Sequence, residues 1–154
     1  MRRFHFSLEK VLELRKHREQ ETEIALGRAV GELVNIENRL TEIASLILKT
    51  RDERRNPGGG GLDHLPGGLA EYYRYQEIYI RRLEQTKEKL LQEAAEARTR
   101  VEEARKLFLE ASRERKVLDK LKEKRAGEYR KTMLTGEIKT LDGLNSARYT
   151  RAES

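Results

Sequence analysis

The stretch "NPGGGGLDHLPGG", Asn56–Gly68, holds six of the eleven glycines and both prolines of a 154-residue chain. Proline removes a backbone donor and clashes with the preceding turn, so Pro57 ends any helix that reaches it. Glycine reaches backbone angles closed to other residues, so the run allows the chain to reverse. Long segments without proline lie on either side. The fold follows from what those segments are.

From Leu8, alternate steps of four and three reach Leu8, Leu12, Arg15, Glu19, Thr22, Leu26, Ala29, Leu33, Ile36, Leu40, Ile43 and Ile47. Nine of these twelve are apolar and the three polar ones are consecutive. After the glycines the same rule reaches Leu69, Tyr73, Gln76, Ile80, Leu83, Lys87, Leu90, Ala94, Ala97, Val101, Ala104, Phe108, Ala111, Arg115 and Leu118. Sustained heptads with Glu, Lys, Arg and Gln between them are the pattern of coiled-coil helices. The expected fold is all-α: two long helices in an antiparallel coiled-coil hairpin. It is read as a single elongated domain over 1–154, with helix 1 about 5–55, a Gly/Pro turn over 56–68, helix 2 about 69–133 and a flexible tail over 134–154.

Folding at the midpoint of the turn sets residue i against residue 123 − i. Leu26 then faces Ala97, Leu33 faces Leu90, Leu40 faces Leu83 and Ile43 faces Ile80. A shift of one heptad also matches core to core, so this register is a preference. In the first register Arg15, Glu19 and Thr22 face Phe108, Ala104 and Val101. That end is either loose, with charged heads reaching water along their stems, or built to be completed by a partner.

Charge is 39% of the chain and aromatics 6%, with a net +6. Residues 113–154 carry 12 Lys and Arg against 7 Asp and Glu. In a hairpin, "MRR" and "LRKHR" (Leu14–Arg18) join that basic segment, which suits an acidic surface or pore. A solvated helix face is the bland alternative. "EYYRYQEIYIRRL" sets Tyr72, Tyr73, Tyr75 and Tyr79 within eight residues. Tyr73 is a seam position. The others suit a partner surface, since tyrosine beside arginine is common at binding hot spots, or else they pack on Leu62 and Leu65. Gly27 and Gly31 cost about 1 kcal/mol each against alanine, and admit a close helix or a bend.

Several chemistries lack their residues. Without cysteine there are no disulfides or thiolate metal sites. His5, His17 and His64 are scattered, without metal spacing. The glycine run lacks the Lys-Ser/Thr of a phosphate loop. No apolar run approaches a membrane span of roughly 20 residues, and the N-terminus has no signal-peptide core. The carboxylates intermix with Lys and Arg, so helical pairing accounts for them. No cofactor and no enzyme activity are expected.

The opening "MRRFHFSLEKVLELRKHREQETEIALGRA" resembles the start of the FliJ family, coiled-coil components of the flagellar type III export apparatus. Phe4-x-Phe6-x-Leu8, Val11-Leu12-x-x-Arg15, Glu19, Ala25 and Ala29 carry the likeness. At the other end, "EIKTLDGLNSARYTR" is similar to the family's ending through Glu137, Lys139 and Asp142. Gly143 stands where the family often has Glu, and with Gly136 it argues against a helix there. The resemblance implies a stalk-like hairpin that binds the hexameric export ATPase, promotes ring assembly and hydrolysis, and meets the cytoplasmic domain of the membrane export gate protein and export chaperones. It places the protein in the cytoplasm, peripheral to the inner-membrane export apparatus. Phe4, Phe6, Arg15, Arg18, Lys122 and Arg125 are assigned to the ATPase tip. Leu46, Tyr72, Tyr75, Tyr79 and Leu83 are assigned to the gate. The equivalent stalk of a virulence secretion system is an alternative. So is a basic coiled-coil nucleic-acid binder, against which stand interspersed acids and the lack of a reading motif.

Overall fold

A computed structural model describes residues 3–56 and 68–152, without the side chains of Thr150 and Ala152. It contains two helices, α1 (Glu9–Arg55) and α2 (Gly68–Ala152), packed as a helical hairpin, with no strand among the described residues. The expected turn lies largely outside the described residues. At its end, Gly68 opens α2 with φ of 72°, a left-handed conformation that a Cβ makes costly. Residues 3–8 are not helical, but Phe6 is buried and its carbonyl accepts from the Glu9 amide at 3.1 Å. Helix 1 therefore starts four residues later than the expected boundary near residue 5.

The larger correction concerns the C-terminal side. α2 does not stop near Met133; it continues as helix to Ala152, through Gly136 and Gly143. A helix already nucleated extends at little cost per residue, so two glycines weaken this segment without breaking it. Beyond Met133 every residue whose side chain is described is exposed.

Contacts divide the chain into two compact units, Met1–Thr22 with Phe108–Ser154, and Glu23–Leu107. In the second unit α1 supplies Leu26, Leu33, Ile36, Leu40, Ile43 and the buried Ile47 to the seam. α2 supplies buried Ile80, Leu90, Ala94, Ala97 and Val101. Arg51 reaches Glu84 at 2.6 Å, Arg98 reaches Glu37 at 3.4 Å and Arg100 reaches Glu32 at 3.7 Å. Gly27 and Gly31 are exposed, and a Cβ at either would meet nothing within 4 Å. Close helix approach within the chain is not their reason.

In the first unit Phe6, Leu12 and Ala111 are buried. The polar residues of the seam are not loose. Arg115 joins Glu19 and Asp119 in one hydrogen-bonded ion cluster, with all three side chains less than a third exposed. The hydrogen bond to Glu19 outweighs the opposing effect of burial and holds the Arg115 guanidinium above its usual pKa, with Asp119 adding to it. Arg15 pairs with Glu114, and Lys122 with Glu9 at 2.8 Å.

These contacts show which register the helices take. In the first register Glu9 would face Glu114 and Glu32 would face Leu91. They meet Lys122 and Arg100 instead. The pairing is displaced by roughly one heptad along α2, so the shifted alternative is the one adopted. Three reasons are visible. The first register sets Arg15 and Glu19 against the apolar Phe108 and Ala104, leaving charges uncompensated in the seam. It sets like charges together at Glu9 and Glu114. It also stacks Ala29 on Ala94 and Ile36 on Lys87. The shifted register brings Arg15 and Glu19 to Glu114 and Arg115, and sets Ala29 across from Val101 and Ile36 across from Ala94. Lys87 then lies across from Ile43, and it is exposed.

Two outcomes follow. With no native cysteine to interfere, the pair Leu33→Cys with Ala97→Cys should oxidise to a disulfide faster than Leu33→Cys with Leu90→Cys; dominance of the second pair contradicts the register. Arg115→Ala should lower unfolding free energy by about 1–2 kcal/mol, because it strands Glu19 in a partly buried seam. The double change Glu19→Leu with Arg115→Leu should recover that loss. Urea unfolding followed by circular dichroism measures both.

Candidate functional site

The six residues assigned to the ATPase tip all lie in the unit formed by Met1–Thr22 and Phe108–Ser154. Most are already used within it. Phe6 is 3% exposed and belongs to the core. Phe4 packs a tilted ring on Tyr129, with centroids 5.7 Å apart. Arg15 is paired with Glu114, and Lys122 with Glu9. Arg125 donates to the Ser7 hydroxyl at 3.1 Å and remains exposed. Arg18 shares Glu114 at 3.6 Å, with more than half of its side chain in solvent. These side chains tie α1 and its leading segment to α2. Arg18 and Arg125 keep the most reach for a partner.

Sequence reasoning passed over the α2 extension. Leu134, Ile138, Leu141 and Leu144 are each more than half exposed, as is Tyr149. Their spacing puts them on one broad helix face. Lys139, Arg148 and Arg151 are exposed on the same extension. The i, i+4, i+7 spacing of 134, 138 and 141 was available, but Gly136 and Gly143 masked it. Threonine hydroxyls bond back to carbonyls four residues earlier, from Thr135 to Lys131 and from Thr140 to Gly136.

The gate-assigned residues divide. Tyr72, Tyr75 and Tyr79 come together with Thr50, Glu53 and Gln76 around a cleft of about 300 Å³. Tyr75 is 68% exposed and Tyr79 nearly half exposed. Leu46 is exposed on α1, Leu83 sits half-buried in the seam, and neither lines the cleft. Beside it Arg54 stacks on Tyr73, 5.8 Å from the ring centroid. Packing of these tyrosines on Leu62 and Leu65 lies outside the described residues.

Gln76 is the residue that seam periodicity hid. It occupies a heptad position, is 8% exposed, and donates through Nε2 to the Tyr72 hydroxyl at 2.7 Å. Its Oε1 is buried without a hydrogen-bond partner. An unpaired buried acceptor costs about 1–3 kcal/mol, so this is a polar group kept at the expense of stability.

Among the described residues no group of three His, Cys, Asp or Glu is placed to hold a metal, and no helix is long and apolar enough to cross a membrane. The exposed α2 extension gives one expected outcome. Gly136→Ala with Gly143→Ala should stabilise it by about 1 kcal/mol per site, raising hydrogen-exchange protection of its amides about five-fold for each substitution, while amides of the hairpin seam stay unchanged.

The family model described as "Flagellar FliJ protein" matches residues 4–154. No curated protein and no solved structure gives a significant match. The match runs through both helices and both units, and the hairpin agrees with it. The chain belongs to the FliJ family of flagellar type III export coiled-coil proteins.

Proposed function

We propose that the chain is a non-catalytic, stalk-like regulator of the flagellar export ATPase. The unit holding both chain ends engages the hexameric ring and promotes its assembly and hydrolysis. The Tyr72–Tyr79 face contacts the cytoplasmic domain of the membrane export gate protein, and the protein also serves export chaperones. It works in the cytoplasm, at the periphery of the inner-membrane apparatus.

One observation carries the ATPase part of this reading. α2 runs far past the seam as an exposed helix with leucine and isoleucine on one face and basic residues beside them. A helix that buries nothing within its own chain holds no stability benefit there. Its apolar face is explained by a partner that covers it, and its cations suit an acidic pore lining. Membership of the FliJ family supports reading that partner as the export ATPase.

Hydrolysis by the cognate export ATPase, titrated with the protein while ring assembly is followed, tests the proposal. Stimulation should accompany an increase in assembled rings. Arg18→Glu with Arg125→Glu, and separately Ile138→Asp with Leu141→Asp, should reduce stimulation several-fold with the seam still folded by circular dichroism. Full stimulation by both variants rejects the assignment.

A further inference from the structure

The cleft beside Gln76 has a chemical preference that goes further than a general partner surface. Two of its donors are already used: the Thr50 hydroxyl donates to the Leu46 carbonyl at 2.8 Å, and one Gln76 Nε2 hydrogen to the Tyr72 hydroxyl at 2.7 Å. Its fixed acceptors are unused. Gln76 Oε1 has no partner, and Glu53 has no ion pair among the described residues. Among the nearby arginines, Arg51 pairs with Glu84, Arg81 with Glu77 and Arg54 lies over Tyr73. The remaining walls are the rings and rotatable hydroxyls of Tyr72, Tyr75 and Tyr79.

An anion entering this cleft meets the Glu53 carboxylate, which repels it. An apolar plug leaves the Gln76 carbonyl unpaired. A cation with several donors satisfies the carbonyl and the carboxylate together and lies on the tyrosine rings. The planar guanidinium does this better than an ammonium, because it stacks and bonds at its edge at once. We propose that the cleft formed by Thr50, Glu53, Tyr72, Tyr75, Gln76 and Tyr79 is a receptor for an arginine side chain of the protein that docks on this face. The Gln76 amide turns its covered Oε1 onto the incoming guanidinium. The docking partner is taken from the gate reading above, and the arginine preference is a separate claim.

The test uses the full chain, with side-chain amide and tyrosine-ring NMR signals followed during titration. One probe is N-acetyl-arginine amide; the other is N-acetyl-citrulline amide, its neutral counterpart of the same shape. Arginine should give saturable shifts at Gln76, Tyr75 and Tyr79. Citrulline should bind at least ten-fold more weakly, and Glu53→Gln should abolish the difference. Gln76→Leu, which suits the seam and keeps the fold, should also weaken arginine binding. Equal responses to the two probes, or no saturable response to arginine, overturns the proposal. Binding of the export-gate cytoplasmic domain is measured alongside in Tyr75→Ala with Tyr79→Ala. Its persistence, with arginine selectivity intact in the unmodified chain, rejects the gate reading and keeps the receptor. Its loss, with no arginine selectivity, does the reverse.

Discussion

The ion cluster of Glu19, Arg115 and Asp119 is the constraint on which the pairing of the helices turns. A two-helix coil has one apolar stripe per helix, and a charge within that stripe has little protein around it. Such a charge is tolerable only opposite its complement. Translating one helix by a heptad leaves most apolar contacts equivalent, so apolar burial alone scarcely selects a register. The cluster does, because a displacement takes Glu19 away from Arg115 and leaves its carboxylate unpaired in the seam. The Arg15–Glu114 and Lys122–Glu9 pairs repeat the same choice nearby. The Ala29 and Ile36 positions carry it into the other unit through volume, where a small side chain is matched by a larger one.

Much of the fold was legible because heptad spacing is a local signal. All twelve α1 positions picked by the four-three rule are buried or half-buried. Along α2 the exceptions are Leu69 and Lys87, one beside the glycine stretch and one a lysine whose long stem reaches solvent. Register was not legible as a single answer, since it depends on which charges meet across the seam. Helix at the C-terminal end was misread because the glycine penalty is a per-residue average that ignores the long helix already formed before Gly136. At the cleft, the clustered tyrosines were visible in sequence. The unsatisfied Gln76 carbonyl was not, because hydrogen-bond partnership belongs to the folded neighbourhood and not to the heptad.

The two units use their polar groups differently. Around Arg115 the charges are nearly all matched, and removing one exposes the other. Around Gln76 a buried acceptor is left unmatched, and Tyr75 and Tyr79 stand out in solvent. The first arrangement holds helices together. The second sacrifices some stability at a place where side chains remain accessible, which is how recognition surfaces commonly differ from structural ones.

The unequal side-chain sizes of the seam bear on how copies of this chain avoid one another. Leu26, Leu33, Ile36 and Leu40 of α1 are large, whereas Ala94, Ala97 and Ala104 of α2 are small. Two α1 helices from different molecules would set large side chains against large ones, a wider seam than this one. Two α2 helices would set alanine against alanine and leave gaps. An α1 with an α2 sets large side chains against small ones, so the chain carries a complementary coiled-coil partner within itself. In a cell crowded with heptad-bearing helices, that mismatch leaves the outer faces, and not the seam, as the surfaces open to other proteins.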